Sequence, residues 1–237
     1  MRKLFAILVL SVVVISGCGS PSEVGPAATV ERPTFTRSTE KVFVAVVGDT
    51  YSCGLNPSGG TDPKGWPSLA TDLLKGRAVD IDTIVGAKGG SGYSPHGTPG
   101  SVPFIDQIRQ VAGSNDQVVV IFGSANDQTI PPATLMSMVQ RAFKEVKKLA
   151  PHAALLVIGP AWVQPAPGPP IFTARDVIRE QALAVGATFV DPLADEWFAG
   201  HPEMIGPNGD RPSDLGHVFM ADKIAPLIAA ELDRPRP

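Results

Sequence analysis

The sequence predicts a three-layer α/β/α sandwich around a central five-stranded, mostly parallel sheet. Short β-branched apolar runs recur five times, at residues 41–48, 79–85, 117–123, 154–159 and 187–190, the pattern of strands buried on both faces. Between them lie stretches with helical spacing, at 66–75, 102–111, 132–149 and 173–184, with a last one at 213–232. Strand and helix alternate throughout, as they do when helices cover both faces of a parallel sheet. No internal repeat appears, and no second boundary follows Lys41.

The first run, KVFVAVVG, ends at Gly48, and the second, third and fourth runs are each followed or closed by glycine, at Gly86, Gly123 and Gly159. The final helix is the best defined. Ser213 and Asp214 read as its N-cap and first turn, and Val218, Phe219, Ile224, Ala225, Leu227, Ile228 and Leu232 supply its apolar spacing.

Ahead of the domain at 41–237 the chain reads as an address and a tether. Arg2 and Lys3 precede an apolar run at residues 4–15, too short to span a bilayer as a stable helix. Ile15-Ser16-Gly17-Cys18 resembles the lipobox of bacterial lipoprotein precursors. The resemblance implies a signal peptide at 1–17, diacylglycerol on Cys18, and an extracytoplasmic domain held on the membrane or envelope of a bacterium. Residues 18–40 are rich in Gly, Pro, Ser, Thr and Ala without an apolar period, as a flexible tether is.

Composition narrows the function. The 237 residues are 43% hydrophobic with a formal charge of −3, so the basic footprint that binds nucleic acid is missing. Two cysteines make no disulfide scaffold. His96, His152, His201 and His217 form no i, i+4 pair and no Cys/His cluster, so no metal site is expected. Gly90-Ser91-Gly92 is followed by Pro95 where a dinucleotide fingerprint needs its third glycine, so no cofactor is implied.

In a parallel sheet the loops after the strands meet at one end, where chemistry is usually placed. Here these loops are Gly48-Asp49-Thr50-Tyr51-Ser52-Cys53-Gly54, Gly86 to Tyr93, and Gly123-Ser124-Ala125-Asn126-Asp127, with Pro207 to His217 before the last helix. Together they resemble the SGNH/GDSL hydrolases across residues 42–232. The resemblance implies the flavodoxin-like strand order and an ester or acyl hydrolase. It makes the hydroxyl of Thr50 the nucleophile, and builds an oxyanion hole from the Thr50 amide, Gly90 or Gly92, and the Asn126 side chain. Asp49 and Asp127 complete the matching motifs. Such chemistry needs a hydroxyl that sheds its proton while fixed donors meet the tetrahedral oxyanion.

The departures are equally informative. Thr50 stands where the family has serine, and its extra methyl crowds attack and stiffens χ1. The late block aligned on Pro212, Gly216 and His217 puts Asn208 at the acid and Arg211 at the base. Arginine does not accept a proton near neutral pH, and asparagine is no anionic partner for an imidazolium. A second register uses Asp214 and His217 as Asp-x-x-His, at the cost of placing His217 inside the last helix. His96 is the other imidazole near these loops. Cys53 and Ser52 read as packing and turn residues, Trp66 and Trp197 as core or rim aromatics.

Three readings follow. One is a tethered SGNH-like protein with a degraded triad that binds an acylated or anionic envelope glycan or lipid, with Arg211 pointing in beside Asn126 to attract an anion. Another is an active esterase using Thr50 with His217 or His96. The last is a non-enzymatic envelope interaction protein.

Overall fold

The computed structural model describes residues 41–54, 62–77, 79–95, 99–123, 125–164 and 166–234. The signal peptide, Cys18 and the tether expected at 1–40 therefore lie outside the described residues, as does His96. Five parallel strands, β1 (Val42–Gly48), β2 (Ile81–Val85), β3 (Asp116–Phe122), β4 (Ala154–Ile158) and β5 (Thr188–Val190), form one sheet in the order β2-β1-β3-β4-β5. This is the expected sheet, with β1 and β3 central and every strand pointing the same way.

The strand period of two builds both cores from the same segments. Val44 and Val46 of β1, with Val118, Val120 and Phe122 of β3, face α2 (Trp66–Gly76) and α6 (Asp214–Leu232). Ala45 and Val47, with Val119 and Ile121, face α3 (Phe104–Val111), α4 (Pro132–Leu149) and α5 (Pro169–Ala184). A fully buried Val, Leu, Ile or Phe contributes roughly 1.5–3 kcal/mol, so the two sets of helices lock the central strands from both sides. Edge strand β2 carries exposed Asp82, paired to Lys41 at 2.9 Å, a charged edge that disfavours pairing with another chain.

β2 and α3 each begin two residues later than expected, at Ile81 and Phe104, and two larger departures have a local cause. The fifth helix begins at Pro169 rather than 173, because Pro169 and Pro170 occupy its first turn, where a missing N–H costs nothing. A one-turn helix, α1 (Thr50–Cys53), follows β1 directly, and no apolar period announces four residues. It forms because Asp49 caps it, accepting the Tyr51 N–H at 2.9 Å. As expected, Ser213 caps α6, its Oγ accepting from the Gly216 amide at 3.3 Å. Among the described residues no helix is long and apolar enough to cross a membrane.

Candidate functional site

The loops leaving β1, β2 and β3 converge at the C-terminal end of the sheet through a connected set of hydrogen bonds. Asp49 is 2% exposed. Its Oδ1 holds the Tyr51 amide and its Oδ2 accepts from Asn126 Nδ2 at 3.3 Å. The same Asn126 amide donates to the Ser91 carbonyl at 2.7 Å, so one side chain ties all three loops together. Gly123 lies at φ +118, and an added Cβ would stand 3.2 Å from Asp49 Oδ2, which fits a glycine at the end of β3.

Thr50 opens α1 beneath the second loop. Its Oγ1 accepts the Gly90 N–H at 3.2 Å. Gly92 instead sits against Asp127, where a Cβ would come within 2.7 Å of both carboxylate oxygens. The two glycines that sequence left equivalent are thus separated: Gly90 presents its amide to the Thr50 hydroxyl, and Gly92 makes room for a carboxylate. Asp127 accepts the Tyr93 and Ser94 amides at 2.8 and 2.9 Å, pinning the second loop. Burial pushes the Asp127 carboxyl up to about 6, against the opposing pull of those two amides.

A further positioning residue was not singled out by sequence reasoning. Gln107 of α3 is fully buried, accepts the Gly48 amide at 3.0 Å and donates to the Val102 carbonyl at 3.0 Å. A glutamine on the core face of an amphipathic helix was the available signal, since a buried amide must find partners. Tyr51 anchors α1 from below, with ring centroids 6.1 Å from both Phe122 and Phe198.

The late loop carries the substituted positions. Asn208 is exposed. Arg211 does not point at Asn126 with an open guanidinium: its Nε and Nη2 fork the Asp210 carboxylate at 3.0 and 2.9 Å. That hydrogen-bonded pair raises the Arg211 pKa and lowers that of Asp210, and a cation matched by an adjacent anion has little net charge left for a ligand. Arg211 still acts on Cys53, where its field favours the thiolate. Burial dominates there and pushes the buried thiol up to about 11.

The second register meets a different obstacle. Asp214 pairs with Lys64 at 2.6 Å on the surface. His217, 2% exposed within α6, accepts the Trp66 backbone N–H on Nδ1 at 3.3 Å. A catalytic imidazole donates its Nδ1 proton to a carboxylate and keeps the other nitrogen open. Here Nδ1 is the acceptor, so the neutral ring carries its proton on Nε2 and offers no free lone pair there. Desolvation lowers the His217 pKa, with the charges of Asp62 and Asp214 opposing it. Among the described residues, no imidazole or carboxylate is hydrogen-bonded to Thr50 Oγ1. Ser52 is buried and accepts the Trp66 indole N–H at 3.2 Å. Trp66 and Trp197 are core residues.

The arrangement thus holds a hydroxyl, a backbone amide and a side-chain amide in one crevice. The profile of the GDSL-like Lipase/Acylhydrolase family matches residues 46–218. A GDSL lipase of Mycobacterium tuberculosis, Rv0518, is 44% identical over 193 residues, covering 80% of this chain and 82% of that protein. Among solved structures, TesA is 21% identical with a TM-score of 0.60, covering 80% of this chain and 99% of its own. The psychrotrophic esterase EstA from Pseudoalteromonas sp. is 16% identical with a TM-score of 0.63, covering 81% and 99%.

Proposed function

The chain belongs to the GDSL-like lipase/acylhydrolase family, and on that premise we propose that it is a lipid-anchored envelope protein that keeps the family's crevice with a degraded triad. It is extracytoplasmic, held by Cys18, and binds an acylated envelope glycan or lipid without hydrolysing it. One observation carries this reading: Arg211, at the position aligned with the base, is forked by Asp210, while His217, the other base candidate among the described residues, spends its Nδ1 on the Trp66 amide. A hydroxyl with no base beside it stays protonated at neutral pH and is a poor nucleophile. The crevice remains useful for binding: an acyl carbonyl that displaced the Thr50 hydroxyl would meet the Gly90 amide, while Asn126, bonded to Asp49 and Ser91, holds the three loops in place. The anion preference expected of Arg211 drops out, because Asp210 compensates it, and the ligand is better described by its acyl group than by a charge.

A second reading, an active acyl hydrolase, is favoured by the relative at 44% identity being named a lipase. Hydrolysis of short-chain p-nitrophenyl esters by the purified chain, beside Thr50→Ala, separates the two. Background turnover in both supports the binding reading. Turnover abolished by Thr50→Ala overturns it and makes Thr50 a working nucleophile.

A further inference from the structure

A second cleft opens at the opposite end of the sheet from Thr50, with a volume of about 590 Å3, where the C-terminal part of α4 and the end of α6 meet the starts of β4 and β5. That volume is in the range of small-molecule sites, ~300–1,000 Å3. Its apolar lining includes Phe143, Val146, Ala150 and Leu155, and Lys144 and Lys147, both exposed, line it as well. Lys147 donates to the Pro151 carbonyl at 3.1 Å, and among the described residues neither lysine is in an ion pair. Arg234 closes one wall, held by Glu231 at 3.0 Å and Thr188 at 2.8 Å. An unpaired cationic lining on a chain of net charge −3 is a local departure from the overall charge.

Two further observations say what would cover this end. Val185, which lines the cleft, is 56% exposed, and Leu183, two residues before it at the end of α5, is 61% exposed. Apolar side chains flanked by lysines are the chemistry that settles into an anionic lipid interface. In a parallel sheet, moreover, all strands begin at one end, so residues 1–40 join the domain at the start of β1 on the cleft's side. The start of β4 is two strands away, about 10 Å.

We propose that this cleft seats an anionic phospholipid of the anchoring membrane, its acyl chain on the apolar lining and its phosphate between Lys144 and Lys147. The domain then rests on this end and turns the Thr50 crevice away from the bilayer. The source of the lipid rests on the envelope-tether reading; the chemistry of the cleft does not.

The test uses the full chain and monomeric dihexanoylphosphatidylglycerol, with dihexanoylphosphatidylcholine as comparator, read by titration and by hydrogen exchange. The expected result is tighter binding of the anionic phosphatidylglycerol, with slowed exchange at residues 143–155 and 183–187. Lys144→Ala/Lys147→Ala should weaken it by about thirtyfold, the scale of two lysine contacts with an anionic lipid. Leu183→Ser/Val185→Ser, on the exposed apolar residues, should weaken both lipids. Equal affinity for the two lipids, insensitivity to both double variants, or protection at 86–95 instead would overturn the proposal. A separate arm places native and Cys18→Ala chains on phosphatidylcholine/phosphatidylglycerol vesicles. Equal retention of the two overturns the tether reading, while the cleft stands or falls on the soluble lipid.

Discussion

Removing the His217 ring should cost stability rather than chemistry. Trp66 is the first residue of α2, whose N-cap Gly65 supplies no side-chain acceptor. Its amide is one of the orphan donors that every helix start leaves, and His217 Nδ1, reaching across from α6, satisfies it. His217→Ala leaves that N–H buried and unpaired, about 1–3 kcal/mol, and opens a void in a packed interface, roughly 1–2 kcal/mol more by analogy with truncations of larger apolar side chains. A total of ~2–5 kcal/mol lowers the Tm of a domain this size by roughly 4–20 °C. His217→Asn places a side-chain oxygen near the lost nitrogen and should recover most of the loss. The pH dependence is a second readout. Burial lowers the folded-state pKa below the unfolded value of 6.5, so the unfolded chain takes up the proton first. Stability contributed by this group is full above about pH 6.5 and falls as pH drops toward the folded-state value. His217→Asn removes this loss. Thermal melts across pH 4.5–8, roughly the range in which a histidine near its ordinary pKa titrates, measure both effects. Unchanged stability in His217→Ala together with loss of a Thr50-dependent ester hydrolysis would refute the reasoning and make His217 a base.

Three other outcomes are expected. Thr50→Ser/Asn208→Asp/Arg211→His installs the family's residues on the same loops and should raise p-nitrophenyl acetate turnover at least about a hundredfold over the parent, the low end of what a positioned base contributes, whereas Thr50→Ser alone should not. Gly92→Ala drives a methyl into the Asp127 carboxylate, a small-to-large change in packed surroundings that should cost ~1–3 kcal/mol, read by denaturant unfolding. Asp127 should oppose His217 in acid: its carboxyl is raised to about 6 from an ordinary 3.8, so the folded state takes up that proton first and gains stability as pH falls from about 6 toward 4. Asp127→Ala should abolish this gain and speed hydrogen exchange of the Tyr93 and Ser94 amides, whose acceptors it removes.

Much of the crevice was legible because its parts are local. Gly48-Asp49-Thr50 and Asn126-Asp127 are short motifs placed directly after strands, and a strand end fixes where its next residues stand. The roles within the late loop were less legible, because they depend on partners brought from elsewhere or on a rotamer. Arg211 reads in sequence as a free cation, and only the folded loop turns it onto its neighbour Asp210. Asp214-x-x-His217 spells a dyad, yet at this spacing in α6 the carboxylate goes to Lys64 and the imidazole to Trp66, each roughly 150 residues away.

The sequence by itself determined the kind of each element and the alternation that makes a parallel α/β sandwich, because the periods of two and 3.6 are properties of consecutive residues. It also marked the loops that carry the family's motifs. Tertiary structure decided what each polar side chain does. Gly90 faces Thr50 while Gly92 yields to Asp127, Gln107 fastens the end of β1 to the segment before α3, and His217 caps a helix. The physical reason is that a buried donor or acceptor must be satisfied by whatever group the fold brings within about 3 Å. That group is usually far away along the chain, where no local pattern records it.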